Sequence, residues 1–103
     1  MGGRLTYLIE FTPEAVERLA ELTARQRSSV LDAIEVQLKH QPTVETRNRK
    51  RMRPNPLAPW ELRVGSARVY YDVTSEPRAL VTIRAIGVKH RERIRIGRTW
   101  WQA

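Results

Sequence analysis

Trp60-Glu61-Leu62-Arg63-Val64-Gly65-Ser66-Ala67-Arg68-Val69-Tyr70-Tyr71-Asp72-Val73 reads as two alternating strands joined at a tight Gly65-Ser66 turn, with charges on every second position. Successive side chains in a strand point to opposite faces. Trp60, Leu62, Val64, Val69, Tyr71 and Val73 therefore share one side, and Glu61, Arg63, Arg68, Tyr70 and Asp72 share the other. The first side has the composition of a core. The second combines guanidiniums, a phenol and carboxylates, a set that can grip a polyanion and move a proton, which points to RNA chemistry.

Downstream, a Glu76-Pro77-Arg78 turn precedes Ala79-Leu80-Val81-Thr82-Ile83-Arg84-Ala85-Ile86-Gly87-Val88, a mostly buried strand. Val81, Ile83 and Ala85 make one face of it. Thr82 and Arg84 make the other, so that Arg84 joins Arg63 and Arg68 if the strands pair in register. Lys89-His90-Arg91-Glu92-Arg93-Ile94-Arg95-Ile96 fits either a short helix or a further strand, and Gly97 interrupts both. Trp100 and Trp101 suit covering a sheet edge, stacking on nucleotides or contacting a partner.

Upstream, residues Gln41 to Pro59 carry no apolar period, hold four prolines and contain Arg47-Asn48-Arg49-Lys50-Arg51-Met52-Arg53. A solvated basic run is the plain reading of such a loop. Because it feeds directly into the arginine-bearing hairpin, it also reads as a phosphate-contacting arm built on Arg49, Lys50, Arg51 and Arg53. Further back, Leu5-Thr6-Tyr7-Leu8-Ile9-Glu10-Phe11 alternates as a strand does. Thr12-Pro13-Glu14 then supplies a helix N-cap, a first-turn proline and an acid at the helix start. Val16, Leu19, Ala20 and Thr23 recur at helical spacing. A second helix from about Arg25 to His40 aligns Val30, Leu31, Ile34 and Leu38, with His40 as a structural residue in its last turn and Pro42 as its stop.

The order strand, helix, helix, basic loop and three or four antiparallel strands predicts an α+β fold. A small twisted antiparallel sheet carries an N-terminal helical hairpin packed on one face, and the opposite face stays open for ligand. Residues 1–103 read as one domain, since the length supports one modest core. Lysine and arginine outnumber acids 19 to 11, a net charge of +8 that calls for a polyanionic partner: RNA, DNA or an acidic protein. No stretch approaches the roughly 20 apolar residues of a membrane span, and the start has no signal-peptide character, so a soluble cytoplasmic protein is expected. The absence of cysteine, with two isolated histidines, leaves no thiolate or structural metal site, and no cofactor is expected.

Trp60-Glu61-Leu62-Arg63-Val64-Gly65, then Arg68-Val69-Tyr70-Tyr71-Asp72-Val73, then Ala85-Ile86-Gly87 leading into Lys89-His90-Arg91-Glu92-Arg93 resembles, over nearly the whole chain, the RelE/ParE superfamily of bacterial toxins from type II toxin-antitoxin pairs. The resemblance implies a RelE-like sheet backed by two helices and a cognate antitoxin that wraps the toxin. DNA would be bound only through the antitoxin complex. Most such members cleave messenger RNA without a metal, commonly on the ribosome, by driving the 2'-hydroxyl onto its own 3'-phosphate; others inhibit DNA gyrase. In the cleaving members an arginine matching Arg68 holds the scissile phosphate. A basic residue among Lys89, His90 and Arg91 supports the leaving side, and some relatives use residues matching Glu61 and His90 as base and acid. The first-strand lysines of other relatives are replaced here by Glu61 and Arg63, and the terminal tyrosine of several is absent near Ile94 or Ile96.

Metal-free cleavage needs a base, a proton donor and fixed positive charge on the phosphorane oxygens. The expected catalytic set is Arg68, Glu61, His90 and Arg63. Arg84, Arg91, Lys89, Tyr70 and the loop cations would bind RNA. Each has a plainer role: Glu61 as a cross-strand ion-pair partner of Arg68, His90 as a solvated histidine, and Tyr70 as a cover for the sheet. The leading function is therefore a toxin endoribonuclease. A ParE-like gyrase inhibitor and a non-catalytic toxin-fold binding protein stand as alternatives.

Overall fold

The computed structural model describes residues 5–102. In chain order the elements are β1 (Leu8–Phe11), α1 (Pro13–Glu21), α2 (Ala24–Gln37), β2 (Arg49–Arg51), β3 (Trp60–Val64), β4 (Ala67–Thr74), β5 (Leu80–His90), β6 (Arg93–Ile96) and β7 (Thr99–Gln102). The stretch left open between helix and strand after Val88 is extended, and β6 and β7 form a C-terminal hairpin.

Local chemistry sets the helix ends. Thr12 is the N-cap of α1, its side chain accepting from the Ala15 backbone N–H, and Pro13 follows at the first helical position. Thr23 and Gln26 form a reciprocal capping box that starts α2. Arg27 closes the joint between the helices: its Nη2 donates to the carbonyls of Ala20 and Leu22 at 3.1 and 3.0 Å, meeting acceptors that the end of α1 leaves without helical partners. Helix α2 stops at Gln37, short of Pro42, so His40 lies beyond it, with Nδ1 3.4 Å from the Leu5 carbonyl.

Strands β2 to β7 pair in sequence order, each antiparallel to the next. The long strand β5 is shared along its other edge. Its first half pairs in parallel with β1, from Leu8 opposite Leu80 to Phe11 opposite Ile83, and its end pairs with β6. Residues Arg91 and Glu92 turn the chain from β5 into β6, with Arg91 at φ 61°.

The helical hairpin covers one face. Ala15, Leu22, Val30, Ile34 and Leu38 pack there with Trp60, Leu62, Val69, Tyr71, Val81, Ile83 and Ile86. Each fully buried aliphatic side chain contributes roughly 1.5–3 kcal/mol relative to an exposed one, which makes this cluster the main source of stability. Two members of the expected helical stripes, Val16 and Leu31, instead face solvent at 53% and 41% exposure. Ala15 and Leu22 take the inward role on α1.

The opposite face departs from expectation in two ways. A β-bulge shifts the β4–β5 register, pairing Tyr70 with Ala85 and Tyr71 with Ile83, so that Arg84 has no cross-strand partner. Ala85 thereby leaves the face of Val81 and Ile83 and joins Tyr70 on the other side. Nor is that side open. Ala58, Tyr70, Ala85, Ile94 and Ile96 form a second, smaller cluster, with Met52, Leu57 and Trp101 against it. Both the basic loop and the C-terminal hairpin fold over the sheet. Gly87 permits the close approach of the hairpin, since a Cβ there would meet Ile96 Cγ1 at 2.7 Å and the Arg95 carbonyl at 2.8 Å.

Candidate functional site

Alternation along β3 and β4 brings Glu61, Arg63, Arg68 and Tyr70 to the second face as two cross-strand pairs, Glu61 opposite Tyr70 and Arg63 opposite Arg68. Burial is unusual for such groups: Glu61 is 7% exposed, Arg68 8% and Tyr70 1%. Buried charge is tolerated only with partners, and the partners are specific. Glu61 Oε1 accepts from Arg63 Nε at 3.0 Å, an ion pair along one strand rather than the cross-strand pair with Arg68 that the alternation suggested. Arg68 Nη1 donates to the Gly65 and Ala67 carbonyls at 2.7 and 2.9 Å, tying its guanidinium to the hairpin turn.

Tyr70 completes the group. Burial first, then the Glu61 charge and a hydrogen bond to that carboxylate, push its phenol well above the ordinary range; Arg68 and Arg63 pull it part of the way back. The hydroxyl is a neutral donor at physiological pH. Tyr70 is thus held against Glu61 and is closed to a stacking base. Its neighbour Tyr71 belongs to the helical core and donates to the Pro42 carbonyl at 2.6 Å.

Lys89 lies at the same end of the sheet, its backbone N–H donating to the Ser66 carbonyl at 2.7 Å. Gly87, two residues earlier, stands opposite Arg68, so the alternation of β5 starts the Lys89 side chain on the Arg68 side. His90 does not. It lies toward the helices, lining a cavity with Leu22, Ile86 and Val88, and its ring meets Trp100 edge-on at 6.1 Å between centroids. The sheet therefore separates His90 from Glu61. Arg91 sits exposed in the β5–β6 turn.

The remaining arginines form a second region rather than one clamp. Arg84 pairs with Asp72 at 3.5 Å and lines a cavity of about 420 Å³ with Arg51, Arg53 and the Pro54–Pro59 segment. It stands three residues before Gly87, the partner of Arg68, which is roughly 10 Å along an extended strand. Convergence of Arg63, Arg68 and Arg84 on a single phosphate is not what the register gives. Of the expected arm, Lys50 and Arg51 are exposed, and the Arg51 guanidinium lies 5.6 Å from the Trp60 ring centroid. Arg49 is structural instead: it is 7% exposed and its Nη1 donates to the Gln37 carbonyl, joining β2 to the end of α2. The basic run marks Arg49 as part of a phosphate-contacting arm because nothing local reveals a helix end lying over it.

No metal-holding group of three or more His, Asp or Glu side chains occurs among the described residues, and none of their helices is long and apolar enough to cross a membrane.

No family model matches the sequence, and no curated protein does. Among solved structures the chain is similar to the toxin-antitoxin complex RelBE2 from Mycobacterium tuberculosis, with a TM-score of 0.70 and 22% identity over 82% of this chain and 100% of that one. The likeness establishes the fold: a RelE-like α+β sheet with two N-terminal helices on one face.

Proposed function

We propose that this chain is the toxin of a toxin-antitoxin pair and that it cleaves messenger RNA without a metal, the second face of the sheet being its reaction surface. The observation that carries this reading is the gathering of Glu61, Arg63, Arg68 and Tyr70 on adjacent positions of β3 and β4, with Glu61 paired to Arg63 and Arg68 anchored to the turn, at the end of the sheet where Lys89 lies. The fold shared with a toxin-antitoxin complex supports the class.

Arg68 commits Nη1 to backbone carbonyls, which fixes the plane of the guanidinium and leaves the N–H groups of Nε and Nη2 to meet phosphate oxygens. Arg63, with its side chain 44% exposed, is the accessible arm of the pair. An incoming phosphate competes with Glu61 for Arg63 and frees the carboxylate. Glu61 then takes the proton of the 2'-hydroxyl as that oxygen attacks phosphorus, and the charge gathering on the phosphorane falls on Arg63 and Arg68. As the P–O5' bond breaks and the 2',3'-cyclic phosphate forms, the Lys89 ammonium gives a proton to the departing 5'-oxygen. The cavity beside Arg53 and Arg84 holds the next phosphates of the strand. His90, across the sheet, takes no part in this scheme.

Mixing the purified protein with ribosomes and a defined messenger tests the proposal by primer extension. New 5' ends with the native chain and none with Arg63→Ala are expected. Folded native protein that yields no new ends at any concentration overturns it.

A second reading rests on the near-complete burial of Glu61 and Arg68, which suits a surface that binds without reacting. On that reading the basic face inhibits DNA gyrase, and a supercoiling assay responds to the protein while messenger stays intact. An acidic antitoxin segment complements the +8 charge under either reading.

A further inference from the structure

On the helical side of the sheet, at its β5–β7 edge, a second chemistry-bearing surface appears. In β6 the alternation Arg93-Ile94-Arg95-Ile96 sends Ile94 and Ile96 into the smaller apolar cluster, so Arg93 and Arg95 emerge on the opposite side. Register extends the split into β7: Trp101 pairs with Ile94 and packs in that cluster, whereas Trp100 pairs with Arg95 and stays 41% exposed. The Arg93 and Arg95 guanidiniums lie 4.9 and 6.0 Å from the Trp100 ring centroid. Beside this stack a cavity of about 650 Å³ opens toward the helices, bordered by Arg18, Arg95 and Arg98. Its one carboxylate, Glu21, already pairs with Arg18 at 3.4 Å. Among the described residues, Arg93, Arg95 and Arg98 form no ion pair.

An exposed indole among unneutralised guanidiniums offers a flat π surface and anion donors within one nucleotide of each other. An acidic peptide would meet the charges and leave the indole unused, whereas a nucleotide answers both. We propose that this edge is a single-stranded nucleic-acid site in which Trp100 stacks on a base and Arg93, Arg95 and Arg98 contact the flanking phosphates. It lies across the sheet from Arg63 and Arg68 and operates whether or not the chain cleaves RNA.

The test is fluorescence anisotropy of the full chain with a labelled oligodeoxyuridine of about 12 nucleotides, within the site sizes usual for single-strand binders. The probe lacks the 2'-hydroxyl, so a failure of the cleavage reading leaves the measurement intact. Trp100→Leu is expected to weaken binding about 10-fold and Trp100→Phe far less, because stacking needs the ring and not the bulk. Arg93→Glu, on an exposed position, is expected to weaken binding and to flatten the dependence on log salt by about one unit or more. Binding by a correctly melting Trp100→Leu within twofold of native overturns the proposal. So does a polyglutamate peptide that binds as tightly as the oligonucleotide and loses affinity equally on Trp100→Leu, and so does native affinity in Arg93→Glu if Trp100→Leu does not fold.

Discussion

The two faces of the sheet are built from the same strands and solve different problems. On the helical face Leu62, Val69, Tyr71, Val81 and Ile83 are all at 0% exposure in an apolar cluster, with the buried Arg49 at its margin bonded to the Gln37 carbonyl. On the other, Tyr70 at 1% shares its neighbourhood with a carboxylate and a guanidinium that are also almost closed to water. The first face is stabilised by area removed from water, a term that tolerates many sequences of the right pattern. The second depends on individual polar contacts: Arg63 to Glu61 and Arg68 to the turn carbonyls, with the Tyr70 phenol buried opposite Glu61. Buried polar groups add little net stability when paired and cost much when a partner is removed.

Substitutions that strike one face and spare the other sharpen this contrast. Leu62→Ala, in the dry core, is expected to cost about 3 kcal/mol of unfolding free energy by denaturant titration, the middle of the range for buried leucines. A cost below about 1 kcal/mol would erase the distinction between the faces. Arg68→Ala is expected to lower cleavage by about 10²-fold, equivalent to about 2.7 kcal/mol of transition-state stabilisation. Its stability loss stays nearer 1–2 kcal/mol, from the carbonyls left unmet. Equal losses of folding and activity would make Arg68 a turn clamp and nothing more.

Gly87→Ala acts on the cover of the second face. The added methyl cannot fit against Ile96 and the Arg95 carbonyl, so about 1–2 kcal/mol of destabilisation is expected. Hydrogen exchange should accelerate across residues 93–102 while β3 and β4 keep their protection. Tyr70→Phe is the mildest change, about 1 kcal/mol for one buried hydroxyl beside Glu61. Its signature is pH dependence. Because burial raises both Tyr70 and Tyr71, the neutral phenols contribute stability that is complete below about pH 10 and is lost as pH climbs above it. Melting temperatures from pH 7 to 11 should fall less steeply at the alkaline end in Tyr70→Phe than in the native chain.

Much of the site was legible because it is local. Glu61, Arg63, Arg68 and Tyr70 share a face through the period-two geometry of a hairpin whose turn is written in adjacent residues. Arg84 and His90 were misplaced for nonlocal reasons. One extra residue at the β5 bulge changes which face follows it, so Arg84 turns toward Asp72 and the proline loop, and His90 falls on the side of the helices. The surface around Trp100 left a faint trace in the alternation of Arg93, Ile94, Arg95 and Ile96, readable only once that segment is known to be a strand.

Gly97 shows the limit most plainly. Its φ of 62° puts it in the left-handed region, and a Cβ there would collide with the guanidinium of Arg18, nearly eighty residues earlier in the chain. By itself, the order of residues determined β1, β3, β4 and β5, the capped helices, the apolar face and the charged group of the central hairpin, since each depends on neighbours a few positions apart, whereas β2, inside the basic loop, and β7 were not legible. Tertiary structure alone decided that the charged face is covered, that Arg49 serves the scaffold, and that the two terminal tryptophans part company. Those outcomes follow from where the loop and the last hairpin come to rest, and that is set by contacts between segments with no shared period.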